Sequence, residues 1–175
     1  MLQDNLNLDL KGLKKFCEDV SLHLKKGDII CLSGDLGSGK TTFSRYLINS
    51  IYKNQNKEPP NVIKSPSFPI LLTYELNNFE IYHYDLYRVS KSSDLDHLNI
   101  FEELNNSITL VEWPEIISNL FKNYNIKIKL EAKILDRKYL YLSGAIISRD
   151  PRTMYDEKEK PFLIHSVVDL SLIHI

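Results

Sequence analysis

The spacing of apolar residues changes period several times along the chain, and each change marks an element. Leu10, Leu13, Phe16, Cys17 and Val20 recur at the three- and four-residue steps of one helix face. The segment from about Leu10 to Leu24 therefore predicts an amphipathic packing helix, leading through Lys25-Lys26-Gly27 into the next element. Asp28–Ser33 is a short, almost unbroken apolar run, the pattern of a buried strand, and Thr42–Ile48 returns to helical spacing. Residues 53–60 are polar and end in Pro59-Pro60, which predicts a surface loop and a helix stop. Ile70–Leu76 and Phe79–Asp85 are β-rich runs on either side of Asn77-Asn78, the signature of a hairpin. Ser92–Leu98 predicts a helix start with acidic residues in its first turn, with a short helix around Ile100–Leu104. Ser107–Glu112 predicts another strand, broken by Trp113-Pro114. From Asn125, apolar Ile126, Ile128, Leu130, Ala132 and Ile134 alternate with charged residues, as in a half-exposed strand, and Tyr139–Leu142 predicts a strand returning antiparallel to it.

Helices interleaved with strands, plus a hairpin and an antiparallel return, predict one α/β domain over residues 1–144 with a mixed, mainly parallel central sheet. Beyond Gly144 the pattern is lost; residues 145–175 form a poorly patterned tail, and Leu170–Ile175 read like the translation of a sequencing-library adapter. The 175 residues, 43% hydrophobic and 26% charged, suit a single domain of ordinary globular composition. A formal net charge of -1 argues against a general nucleic-acid affinity built on a basic surface, so any RNA connection is expected to run through partners. Cys17 and Cys31 lack metal-ligand spacing, and Cys31 sits in an apolar run as a small hydrophobe. This implies a reducing cytoplasm. The N-terminus has no basic stretch before an apolar run and nothing reaches the length of a membrane span, so neither export nor a membrane is expected.

The candidate chemistry lies between the first predicted strand and the helix that follows. Gly34-Asp35-Leu36-Gly37-Ser38-Gly39-Lys40-Thr41-Thr42 fits G-x-x-x-x-G-K-[ST], and its strand–loop–helix context is the one this phosphate-binding motif requires. Glycines let successive N–H groups converge on phosphate at a helix N-terminus, Lys40 reaches the β/γ oxygens, and Thr41 offers a hydroxyl to Mg²⁺. The expected ligand is a nucleoside triphosphate, cradled by Gly37, Ser38, Gly39, Lys40, Thr41 and Thr42. The proline-flanked Ser65 and Ser67 lie in a stiff loop over 62–69, for which a plain connector and a nucleotide-facing switch are equally supported. Asp85 and Glu112 each close a predicted strand, where open α/β sheets bind ligands, and spacing leaves open which of them serves a metal and a water. His83 shares a strand face with Asp85, and a structural role is favoured for it in the absence of a ligand cluster.

Four stretches taken together, Gly34–Arg45, Lys64-Ser65-Pro66-Ser67-Phe68, His83-Tyr84-Asp85-Leu86-Tyr87-Arg88 and Leu110-Val111-Glu112-Trp113-Pro114-Glu115, resemble in order and spacing the bacterial TsaE (YjeE) family over roughly Leu10 to Gly144. The resemblance implies a P-loop NTPase-like three-layer domain. It also implies an ATPase that acts with TsaB and TsaD in threonylcarbamoyl modification of adenosine 37 of tRNAs reading ANN codons. Carried over by position, Lys40 binds phosphate, Thr41 and Glu112 hold Mg²⁺, Asp85 is the acid of the Walker-B-like strand, and Ser67 stands in the switch-like loop where the family has Thr. Arg137 matches a late family arginine and is a nucleotide-site candidate. Two other classes fit the motif: a small P-loop kinase, which needs an acceptor site and an arginine-bearing lid, and an interaction module in which nucleotide orders a loop. Near the motifs stand Arg45, placed for a salt bridge or partner contact, and Arg88, placed for the site or an ion pair.

Overall fold

The computed structural model describes residues 5–91, 94, 106–117, 125–131 and 140–148. The predicted helices over 92–104, apart from Asp94, lie outside the described residues, as do Arg137 and the tail from residue 149. The elements are β1 (Asn5–Leu8), α1 (Leu10–Ser21), β2 (Ile29–Ser33), α2 (Lys40–Asn54), β3 (Leu71–Glu75), β4 (Glu80–Asp85), β5 (Ser107–Glu112), a 3-10 turn (Pro114–Ile117), β6 (Asn125–Glu131) and β7 (Leu140–Ser148).

The strands form one seven-stranded sheet in the order β1-β7-β6-β2-β5-β4-β3. β2 pairs in parallel with β5 and β6, and β4 with β5; the remaining pairs, β3/β4, β6/β7 and β1/β7, are antiparallel. Thus β1, β6, β2, β5 and β4 point one way and β7 and β3 the other, so the sheet is mixed but mainly parallel, as the sequence predicts. The return strand does not stop at Gly144. Ala145 faces Ile128 and Ser143 faces Lys129, which leaves Gly144 as the extra residue of a bulge, and pairing continues to Ser148. A glycine that reads as an end signal is here a kink inside the strand.

Alternation along the central strands builds two cores. Ile30 and Leu32 of β2, Ile81 of β4 and Ile108 and Leu110 of β5 face Leu13, Phe16, Cys17 and Val20 of α1 and Phe43, Leu47, Ile48 and Ile51 of α2. Ile29 and Cys31 face the other way, with Tyr84, Leu86, Val111 and Ile117. Asp9 starts α1 by accepting a 2.7 Å hydrogen bond from the Gly12 backbone N–H, which satisfies one of the unpaired donors of the first turn. The helix ends at Ser21, three residues short of the predicted Leu24, and Leu10 stays exposed. α2 opens at Lys40, two residues earlier than the apolar spacing shows, because Gly39 caps it at φ 100° and the motif residues make up its first turn.

Parallel pairing fixes the place of the chemistry. β2, β4 and β5 run side by side in one direction, and the register sets Asp85 opposite Glu112 and Leu32 opposite Glu112. The C-terminal ends of these three strands and the N-terminus of α2 therefore meet at one edge of the sheet.

Candidate functional site

A cleft of about 220 Å³ at this edge is lined by Leu36, Gly37, Gly39, Lys40, Thr41, Thr42, Ser67, Asp85, Glu112 and Trp113. Gly37 (φ 80°) and Gly39 (φ 100°) occupy the left-handed region, which lets the loop curl around its own concavity before α2 begins. At Gly37 nothing lies within 4 Å of the point where a Cβ would stand, so the requirement there is backbone conformation and not space. Ser38 is buried and does not line the cleft; its N–H is bonded to the Asp35 carbonyl at 3.1 Å and its Oγ accepts from Lys40 Nζ at 3.4 Å.

Lys40 turns back into the loop. Its Nζ donates to the Gly34 carbonyl at 2.6 Å and the Asp35 carbonyl at 2.8 Å, and lies 3.8 Å from the centroid of the Trp113 ring. Burial lowers the Lys40 pKa, while the carboxylates of Glu112, Asp85, Glu115 and Asp35 push in the opposite direction. A desolvated ammonium within reach of the loop's concavity is suited to an anion. Trp113 itself adopts φ 58°, a strained setting for a large residue; its N–H donates to the Leu32 carbonyl at 3.1 Å, and the Tyr87 ring lies against its own with centroids 4.8 Å apart.

Glu112, 2% exposed, is the centre of a polar cluster. Its Oε2 accepts from Thr41 Oγ1 at 2.9 Å, and its Oε1 meets His83 Nε2 at 2.8 Å and Ser44 Oγ at 3.3 Å. Asp85 is engaged differently: Oδ2 accepts from Ser67 Oγ at 2.5 Å and Oδ1 from the Tyr87 N–H at 3.0 Å, while Ser65 and Ser67 share a 2.8 Å hydroxyl contact. The loop carrying these serines is thereby fastened to the strand end, and Ile70, at φ 66°, closes it with a 2.6 Å bond from its N–H to the Pro66 carbonyl.

The structure thus brings Gly37, Gly39, Lys40, Thr41, Thr42, Ser67, Asp85 and Glu112 to one cleft. Ser44 and the partnership of His83 with Glu112 escape the sequence reading. Ser44 carries a usable signal, a hydroxyl four residues after Lys40 in an otherwise apolar stripe. His83 shares a face with Asp85, as expected, but its partner is a carboxylate on the next strand. Arg45 and Arg88 do not line the cleft: Arg45 Nε donates to the Ile63 carbonyl at 2.8 Å, and the Arg88 guanidinium stacks 4.3 Å over the Phe68 ring.

Among the described residues no three or more His, Cys, Asp or Glu side chains converge as a metal cage. A Mg²⁺ site does not need one, since that ion keeps several waters and takes one or two carboxylates plus phosphate oxygens. The hydroxyl of Thr41 beside the carboxylate of Glu112 is a hard-oxygen pair that fits such an ion. No described helix is long and apolar enough to cross a membrane.

The chain is similar to known proteins over most of its length. A family model described as "Threonylcarbamoyl adenosine biosynthesis protein TsaE" matches residues 8–139. A protein of Rickettsia felis named tRNA threonylcarbamoyladenosine biosynthesis protein TsaE is 43% identical over 118 residues, which is 67% of this chain and 66% of that protein. The same-named protein of Rickettsia typhi is 42% identical over 72% of this chain and 83% of its own length, and that of Haemophilus influenzae is 33% identical over 67% and 72%. The crystal structure of Bacillus subtilis YdiB superposes with a TM-score of 0.58 at 23% identity, covering 82% of this chain and 86% of that one, and shares the fold. With the family model matching residues 8–139 and relatives of 33–43% identity over two thirds or more of its length, the chain belongs to the TsaE family.

Proposed function

We propose that the chain is the Mg²⁺-dependent ATPase subunit of a system that installs threonylcarbamoyl on adenosine 37 of tRNAs reading ANN codons, working in the cytoplasm with TsaB-like and TsaD-like proteins. The names of its relatives support the pathway. The observation that carries the ATPase reading is the meeting of Thr41 Oγ1 with Glu112 Oε2 at 2.9 Å, beside a loop whose lysine is buried and held at its lip. In this reading the backbone N–H groups at the start of α2 bind the phosphates, with Lys40 leaving the Gly34 and Asp35 carbonyls to neutralise charge between them. Thr41 and Glu112 would hold Mg²⁺, with Asp85 as the second acid of the strand ends. The ion, when bound, offsets charge developing on the transferred phosphoryl group. Glu112 orients the attacking water, and Ser67, together with Arg137, contributes to nucleotide binding.

Arg45, with its Nε bonded to the Ile63 carbonyl, and Arg88, lying over the exposed Phe68 ring, do not line the cleft. An enzyme with Arg137 as its candidate nucleotide arginine fits slow turnover alone and completion by a partner, since phosphoryl transfer gains from added positive charge. The few, scattered arginines after Asp85 disfavour the kinase reading, which needs an arginine-bearing lid. The test combines purified chain, ATP, Mg²⁺, tRNA and the TsaB-like and TsaD-like proteins of the same source. Slow turnover alone, a rise on adding the pair, and formation of the modified nucleoside only when all three proteins are present are expected. Fast turnover unaffected by the pair, with modification proceeding when this chain is left out, would refute it.

A further inference from the structure

Polar groups are costly inside a sheet–helix core, and this one contains three in contact: His83 and Ser44, each at 0% exposure, and Glu112 at 2%. They are not scattered. Both His83 and Ser44 point at the same oxygen, Glu112 Oε1, at 2.8 and 3.3 Å, while Oε2 is left to Thr41 at the cleft.

The two donors differ in how many acceptors compete for their proton. The Ser44 hydroxyl has one proton, and it lies 3.1 Å from the Lys40 carbonyl as well as 3.3 Å from Oε1, so its donation is divided. His83 has no such competitor. A carboxylate can only accept, which places the ring proton on Nε2, and Nδ1 has no partner among the described residues. The ring lies beside that of Tyr74, centroids 6.5 Å apart, and is carried on β4 two residues before Asp85, where the β4/β5 register sets it diagonal to Glu112. Every polar contact of the imidazole is therefore spent on one oxygen of one acid.

We propose that His83 is a positioning residue: its Nε2–H fixes Glu112 Oε1 so that Oε2 is presented to Thr41 and the cation site, with Ser44 as an auxiliary donor. This rests on the proposed Mg²⁺–ATP reading and deepens it. A glutamate has two freely turning bonds beyond its Cβ, and an acid that must serve a metal and a water from one oxygen gains from having the other tied down before the ligand arrives.

Two variants of similar polarity decide it. The side-chain amide nitrogen of His83→Gln reaches the position of Nε2, whereas that of His83→Asn reaches only that of Nδ1, short of Glu112. ATP affinity is measured by calorimetry in EDTA and in Mg²⁺, alongside KM and kcat and the thermal midpoint of each variant. His83→Asn is expected to bind ATP in EDTA within about 2-fold of wild type, yet to lose most of the Mg²⁺-dependent gain in affinity and about 10-fold or more in kcat; His83→Gln is expected to recover both to within about 3-fold. A His83→Asn protein that keeps the full Mg²⁺ gain, or a His83→Gln protein as impaired as His83→Asn at an equal thermal midpoint, overturns the positioning role alone. A wild-type chain that binds no Mg²⁺–ATP overturns the proposed function and this role with it.

Discussion

Truncating Glu112 and neutralising it should have different consequences, because the side chain both satisfies buried donors and carries charge. In Glu112→Ala, His83 Nε2–H loses its 2.8 Å acceptor at 0% exposure and remains desolvated, a cost of ~1–3 kcal/mol. Ser44 retains the Lys40 carbonyl, and Thr41, which lines the cleft, can turn to water. Lys40 loses the carboxylate that most strongly supports its buried charge. Together these effects amount to about 2–4 kcal/mol, a thermal midpoint lower by roughly 6–12 °C. Glu112→Gln keeps the shape: the amide oxygen can accept from His83 while the NH₂ donates to Thr41 Oγ1, which as a hydroxyl can turn to accept. Its stability should stay within ~1.5 kcal/mol of wild type while turnover falls ~100-fold or more, with nucleotide still bound. Urea or thermal unfolding, calorimetric ATP titration and phosphate release are run on both variants. A Glu112→Ala protein as stable as wild type would refute the donor accounting, and a Glu112→Gln protein with normal turnover would move the metal and water role to Asp85.

Trp113, the chain's single tryptophan, reports on Lys40: drawing Nζ away from its 3.8 Å seat over the indole should change the fluorescence as ATP is titrated, and a flat signal despite calorimetrically measured binding would contradict that seat. Tyr84 provides a pH test. Burial raises its pKa from 10.0 to about 12, so above pH 10 the unfolded phenol ionises while the folded one keeps its proton, and stability falls with pH across that window by up to roughly 3 kcal/mol. Tyr84→Phe should lessen the alkaline slope seen in urea unfolding between pH 10 and 12, leaving the part that buried Cys17, Tyr52 and Tyr74 contribute in the same direction; an unchanged slope would assign all of it to those groups.

The parts of this protein legible in its sequence are those whose signal is local. Gly34 to Thr42 declare the loop because each residue's task is set by its immediate neighbours, and Asp85 and Glu112 declare themselves by closing apolar runs. What stays hidden depends on contacts distant in sequence. β1 is a four-residue strand whose pairing with β7 spans most of the chain, so no periodicity reveals it. Gly144 reads as an end because a bulge glycine and a terminal glycine look alike until the partner register is known. His83 and Glu112 meet only through the parallel register of β4 and β5, which also explains why spacing alone leaves Asp85 and Glu112 equivalent while the structure gives them different partners: Ser67 and Tyr87 for one, Thr41, Ser44 and His83 for the other.

If this loop holds a nucleoside triphosphate through Lys40, calorimetric titration of Mg²⁺–ATP into wild type and Lys40→Ala must show it. Removing the ammonium takes away charge-assisted bonds worth ~3 kcal/mol at the phosphates, an affinity loss of about 100-fold. The hydrogen bonds of Lys40 stay within its own loop, so the fold of the variant should survive, with a thermal midpoint lowered by the loss of counter-charge beside Glu112 and Asp85. Equal ATP affinity in the two proteins, both folded, would contradict the assignment of this cleft as the nucleotide site.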